Sequence, residues 1–276
     1  MRRIALALAA AALVAGVAAC GGDDEKTASS SGPAEDKPLV VGVSPVPHAE
    51  ILNFIASDLA PKAGLKLEVK EFTDYVLPNT ALVDGQLDAN YFQTPAYLAD
   101  QEQARGFKAT SIVGVHIEPL GLYSRKIADV GSIPDGAQVA IPNDATNEAR
   151  ALRLLAANDL LTLKDNESQT ATVRDITDNP KHLEFAEVEA AQTPRALDDA
   201  DLAVINGNYA LEVDLKPAQD ALVLESAENN PNQNILVTLP EKQDDPRVKK
   251  LAELLTSPEV KQFIDEKYQG AVLPVF

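Results

Sequence analysis

The chain has 276 residues, 45% of them apolar, and carries 42 acidic against 24 basic side chains for a formal net charge of −18. That balance argues against nucleic acid as a partner, because phosphate binding needs clustered Lys and Arg. A single cysteine excludes a disulfide within the chain, and the acidity is a solubility feature that names no ligand.

Residues 1–19 open with two arginines, continue as an unbroken run of Ala, Leu, Val and Ile, and end in small residues. This is the layout of an export signal, and the apolar run is shorter than the roughly 20 residues a membrane-spanning helix needs. The run closes in Val-Ala-Ala-Cys at Val17 to Cys20, which resembles the lipobox of bacterial lipoproteins. The expectation is a signal peptide cut before Cys20, with lipid on its thiol. Residues 20–38 continue as small, polar and charged side chains that cannot bury a core, and read as a flexible tether.

From Leu39 onward, strand-like runs alternate with helical ones. PLVVGVS is followed by a helix from about His48, with Ile51, Ile55 and Leu59 on one face. KLEVKEF, a helix after PNTALVDG, LDANYF and a helix from Pro95 come next, and then TSIVGVHIEPLGLYS as one strand-like run. The alternation resumes with QVAIPN, a helix over ARALRLLAAND, LEFAEVE, a helix at TPRALDD, and LAVING. Two helices end the chain: DDPRVKKLAELL, and SPEVKQFIDEKYQG with Ser257 as N-cap, Pro258 at the first helical position and Gly270 just past the end. The pattern predicts an α/β protein of two lobes, each a mixed, mostly parallel sheet flanked by helices. The tail is expected to pack back on the first lobe, giving residues 39–122 plus 222–276 as lobe 1 and residues 123–221 as lobe 2.

Signatures of catalysis are missing: no GxGxxG, GxxxxGK, HExxH or GxSxG occurs, and no cysteine is available as a nucleophile. No enzyme and no cofactor are expected. His48, His116 and His182 could converge on a metal with Glu118, since the spacing HIE puts His116 and Glu118 on one strand face. Against a metal, His48 sits at a helix start and His182 in a turn after Pro180.

The few aromatic residues are grouped. Tyr75, Tyr91, Phe92 and Tyr97 fall in one short region, and in a strand Tyr91 and Phe92 point to opposite faces. Together they could wall a pocket for an apolar or thioether side chain. At the other end of the chemistry, Asn147 and Arg150 lie three residues apart near a helix N-terminus. A guanidinium, a side-chain amide and free backbone N–H groups on one face suit a ligand carboxylate, whereas a lone helical arginine such as Arg153 is expected to be solvated.

At these residues the chain resembles the NlpA lipoprotein family, the methionine-binding receptors of bacterial methionine ABC importers. The resemblance runs from about Val40 to the end and rests on TDYVLPNTALVDGQLDANYFQ, VHIEPLGLYS, IPNDATNEARAL, AAQTPRALDDADLAVINGNYA and GAVLPVF, in that order. It implies a two-lobed periplasmic-binding-protein fold of the second type, held by lipid on the extracytoplasmic face of the cell membrane. Such a receptor closes on L-methionine or a close analogue and delivers it to an ABC permease and ATPase complex. By the same resemblance, Arg150 and Asn147 match the carboxylate-binding pair and Asn206 an asparagine that holds the amino acid's polar end. Tyr75, Phe92 and Tyr97 fall where the side-chain pocket is built, and Glu118 is the candidate partner of the ammonium. Thr94 stands where a histidine is frequent, which loosens the side-chain expectation. The rivals are therefore a receptor for another amino acid or a methionine-containing dipeptide, and a metal receptor using the three histidines.

Overall fold

The computed structural model describes residues 37–276. The expected signal peptide, Cys20 and nearly all of the tether lie outside them. Among the described residues no helix is long and apolar enough to cross a membrane.

In chain order, β1 (Leu39–Val43) leads into α1 (Glu50–Phe54), which is flanked by wider helical turns at Pro45–Ala49 and Ile55–Leu59. There follow β2 (Leu67–Glu71), α2 (Leu77–Val83), β3 (Ala89–Gln93), α3 (Pro95–Arg105), β4 (Thr110–Ile117) and β5 (Gly121–Tyr123). The middle of the chain gives β6 (Gln138–Pro142), α4 (Ala145–Ala156), β7 (Thr162–Leu163), β8 (Ile176–Asp178), β9 (Glu184–Val188), α5 (Thr193–Ala196) and β10 (Leu202–Ile205). The rest is α6 (Gly207–Glu212), α7 (Pro217–Asp220), β11 (Val223–Leu224), β12 (Gln233–Thr238), α8 (Pro246–Leu255), α9 (Pro258–Tyr268) and β13 (Leu273–Pro274).

Two mixed sheets organise these elements. The first runs β13-β4-β12-β3-β1-β2 and the second β11-β5-β10-β6-β9, while β7 and β8 form a separate hairpin. In each, a parallel ladder of the α/β kind, β2-β1-β3 or β10-β6-β9, is extended by antiparallel strands. The chain passes between sheets twice, at residues 118–120 and again at residues 225–232.

The first core gathers Leu39, Val41, Ile51, Ile55, Tyr91 and Val115 with Val248, Leu251, Leu255, Val260 and Ile264 of the last two helices. Full burial of such side chains contributes roughly 1.5–3 kcal/mol each, so the tail is an integral layer of the first sheet. The second core unites Leu120, Leu122, Val139, Ile141, Leu152, Leu155, Leu202 and Val204. Both final helices start as expected: the Asp245 carboxylate accepts from Arg247 N–H, and Ser257 Oγ accepts from Val260 N–H.

Two expectations are corrected. The helix placed after PNTALVDG forms on that stretch itself, because Pro78 is tolerated in a first turn and Gly85, at φ 72°, closes it. The run from Thr110 to Ser124 is not one strand. It breaks at Pro119, and its halves belong to different sheets.

Candidate functional site

Where the two sheets face each other, one cavity is lined by Tyr75, Phe92, Tyr97, Glu118, Asn147, Arg150 and Asn206, together with Gln93, Thr94, Gly207, Asn208 and Asn234. All seven ligand-site residues expected from sequence therefore meet there. Cys20 lies outside the described residues.

Arg150 reaches the cavity because of how α4 begins. The Asp144 carboxylate caps the helix by accepting from Asn147 N–H at 3.0 Å, and both its oxygens also take Asn147 Nδ2, at 2.9 and 3.0 Å. The fixed amide presents Asn147 Oδ1 to Asn206 Nδ2 at 2.8 Å. Asn206 Oδ1 is buried without a hydrogen-bond partner among the described residues, an acceptor whose desolvation is expected to be offset by a donor such as an ammonium. One turn on, Arg150 is only 7% exposed. Its Nε donates to Glu225 Oε1 at 2.9 Å, and its Nη2 donates to Glu225 Oε2 at 2.5 Å and to the Glu118 carbonyl at 2.9 Å.

The opposite wall is aromatic. Tyr75 and Phe92 have ring centroids 6.1 Å apart, Tyr75 and Tyr97 5.8 Å, and Tyr75 and Tyr209 4.9 Å. Tyr97 OH donates to the Tyr75 carbonyl at 3.0 Å, and Tyr75 OH to Asn208 Oδ1 at 2.5 Å. Burial pushes the Tyr75 hydroxyl well above its usual pKa, so it remains a donor. Thr94 caps α3, its Oγ1 accepting from Tyr97 N–H at 3.3 Å. Strand alternation in β3 sends Phe92 to this cavity and Tyr91 into the first core.

Behind Glu118 lies a buried polar chain. Its Oε1 is 2.6 Å from His116 Nε2 and 3.3 Å from His48 Nε2, which also meets Asn234 Oδ1 at 3.0 Å; His116 Nδ1 is hydrogen-bonded by the Tyr91 hydroxyl. Burial pushes the Glu118 carboxyl up, and lowers His48 to about 4 and His116 to about 3. Both rings are thus neutral near pH 7. The three-histidine metal set is corrected: His48, His116 and Glu118 come within 4.8 Å of one another, but His182 is exposed on a distant turn and bonded to Asp135 at 2.7 Å. His48 stands at a helix start as expected, in the turn Pro45–Ala49 that leads into α1, and it is a buried member of this network.

Arg153 also departs from expectation. It is half-buried beside Glu225 and Leu154, with one long contact of 3.4 Å from its Nη2 to Gln169, and it lines an outer groove and not the central cavity. Glu225, Asn208, Asn234 and Gln93 were missed from sequence. Their partners lie far off in the chain or in other elements, and only the clustering of amides in NNPNQN hinted at Asn234.

Residues 39–276 match the family model described as NlpA lipoprotein. This chain belongs to the NlpA lipoprotein family. That family is one of substrate-binding lipoproteins and not of enzymes. The methionine-binding lipoprotein MetQ of Bacillus subtilis is 39% identical over 263 residues, 94% of this chain and 93% of its own length. The D-methionine-binding lipoprotein MetQ of Escherichia coli is 41% identical over 227 residues, 82% of each chain. Among solved structures, a nutrient-binding protein from Burkholderia cenocepacia bound to methionine superposes with a TM-score of 0.83 at 43% identity, covering 86% of this chain and 100% of that one. An ABC-transporter periplasmic substrate-binding protein from Coxiella burnetii gives a TM-score of 0.82 at 39% identity, with 86% and 100% covered. The NlpA family protein thus has the architecture of periplasmic substrate-binding proteins.

Proposed function

We propose that this protein is an extracytoplasmic receptor that captures L-methionine or a close analogue and hands it to an ABC permease and ATPase complex. The observation that carries the reading is the shared cavity: Arg150, Asn147 and Asn206 on one side face Tyr75, Phe92 and Tyr97 on the other. A guanidinium and amides suit an α-carboxylate and ammonium, and an aromatic wall suits a thioether. Glu118 is the acidic partner for the ammonium. The relatives named above, two described as methionine- or D-methionine-binding and one with a structure bound to methionine, support methionine as the ligand.

In this reading the chain folds as two lobes, residues 39–122 plus 222–276 and residues 123–221, with one dividing line falling inside the short strand β5 and the other just before β11. Ligand shifts an equilibrium toward the closed form by its preference for that form. Cys20 carries lipid that holds the receptor at the membrane, and residues up to 38 tether it.

Mass spectrometry of small molecules released from the denatured, freshly purified protein tests the ligand. It should find methionine, and calorimetric titration should rank L-methionine against D-methionine, methionyl dipeptides and other amino acids. A different dominant amino acid or a dipeptide would replace the ligand while keeping the receptor reading. Chelator treatment should leave methionine affinity and melting temperature unchanged, and a loss restored by one divalent ion would move the assignment to His48, His116 and Glu118.

A further inference from the structure

Arg150 stands on α4 and is fastened to both passages between the sheets. Its Nη2 donates to the Glu118 carbonyl on the first passage, and its Nε and Nη2 donate to the two oxygens of Glu225 on the second. Glu225 is itself fixed. Leu120 N–H donates to Oε2 at 3.2 Å, Asn232 Nδ2 donates to Oε1 at 3.2 Å, and Glu225 N–H donates to the Leu120 carbonyl at 2.8 Å. Burial raises the Glu225 carboxyl, but the charge and hydrogen bonds of Arg150 outweigh it and hold the group below its usual range. The carboxylate is therefore ionised and its acceptor directions are taken. Glu225 does not line the central cavity, whereas Arg150 does.

We propose that Glu225 is the positioning residue of the carboxylate clamp: its two oxygens fix the plane and rotation of the Arg150 guanidinium so that the remaining donors, the two N–H groups of Nη1, meet the ligand's carboxylate. The inference rests on the reading that Arg150 binds that carboxylate. A guanidinium on a flexible stem presents its N–H groups in fixed directions only when its plane is set beforehand. Nε and Nη2 are occupied here, and Nη1 makes no hydrogen bond among the described residues. Because Leu120 and Asn232 flank the two passages, the same carboxylate also references the clamp to the segments about which the sheets would move.

A role as mere countercharge predicts the opposite sign. Glu225 is an anion near an anionic ligand, so removing its charge alone would tighten binding of the acid. Removing an orientation weakens it. Residues that orient metal ligands carry about 10- to 100-fold in affinity, and a loss of the same order is expected for Glu225→Gln, whose amide turns a donor toward Arg150.

The test is calorimetric titration of L-methionine and its methyl ester with wild type, Glu225→Gln, Glu225→Asp, Arg150→Ala and the Arg150→Ala/Glu225→Gln double variant, with a melting curve for each. Wild type should prefer the acid; if it binds acid and ester alike, the clamp reading itself fails. Given that preference, Glu225→Gln should lose about 10- to 100-fold for the acid while ester affinity moves by less than about threefold. In the Arg150→Ala background the same change should add less than about threefold, the signature of two residues acting as one unit. Glu225→Asp keeps the charge but is one methylene short of spanning Leu120 and Arg150, and decides the matter if the Gln variant does not fold: loss of acid preference supports positioning. Wild-type acid preference in the folded Glu225 variants, or tighter methionine binding by Glu225→Gln, overturns it.

Discussion

Replacing Tyr75 by Phe removes one oxygen and leaves the ring in place against Phe92, Tyr97 and Tyr209. That oxygen donates to Asn208 Oδ1 at 2.5 Å, and it joins a loop of the first sheet's side to α6 on the second sheet's side. The other hydroxyl bond of this kind, from Tyr209 OH to the Thr73 carbonyl, is long at 3.4 Å. Asn208 is 2% exposed, so in the closed form the variant leaves a buried acceptor unpaired. That costs about 1–3 kcal/mol, more than the 0.5–1.5 kcal/mol net value of an ordinary hydrogen bond. In the open form water replaces the hydroxyl, so the cost falls on closure alone. A receptor that is mainly open without ligand should then bind methionine about 5- to 150-fold more weakly. Tyr97→Phe is the control, because its hydroxyl bonds the Tyr75 carbonyl within the same side of the cleft. Titration calorimetry reads the affinity, and small-angle scattering with and without methionine reads closure. If Tyr75→Phe binds within about twofold of wild type and closes at the same ligand concentration, the bond does not hold the cleft shut and the reasoning is wrong.

Arg150→Ala should weaken methionine binding by roughly 2–5 kcal/mol, about 30-fold to several thousand-fold, because the ligand's anion is enclosed without a countercharge; Arg153→Ala, off the cavity, should change it by less than about fivefold, and reversal of the two would put the clamp on the wrong residue. Stability should fall as pH drops from 6.5 toward 4. His48 and His116, lowered to about 4 and about 3 by burial, refuse protons that the unfolded chain accepts, at about 1.4 kcal/mol per pH unit for each. Glu118, raised by burial, acts in the opposite sense. His48→Gln should therefore show a shallower loss of melting temperature over that window than wild type, and identical slopes would exclude a neutral buried His48. Cys20→Ala should leave the protein in the soluble export fraction or as unprocessed precursor, and continued lipidation of the variant would remove the anchor from Cys20.

Much of the cavity was legible because its residues stand at places where local rules already speak. Asn147 and Arg150 share a face near a helix start, and Phe92 opposes Tyr91 across a strand. Glu225 was not legible. It follows a two-residue strand in a polar loop, 75 positions from its guanidinium, and no periodicity reports such a pairing. The fold behaved similarly: the parallel ladders follow from alternation, whereas the antiparallel additions depend on strands that return from far along the chain. Pro119 was the available signal that the run from Thr110 to Ser124 could not be one strand. The half-burial of Arg153 and full burial of His48 were decided by packing between elements, which a helix-by-helix reading does not contain.

The placement of β12 and β13 carries a consequence for the order in which the two halves form. Strands β5, β6, β9, β10 and β11 and the helices between β5 and β11 are local enough for the second sheet to assemble from residues 121–224 alone. The first sheet is different: β12 lies between β3 and β4, and Thr238 Oγ1 closes on the Asp88 carbonyl across 150 residues. The β2-β1-β3 ladder can pair early, but β4 joins the sheet only through β12 and β13, so the sheet's completion waits for nearly the last of the chain, and a nonlocal closure of that kind is slow. A nascent or translocating chain would carry a finished second half while the first remains open, so the aromatic wall and the guanidinium come face to face only in the final step of folding.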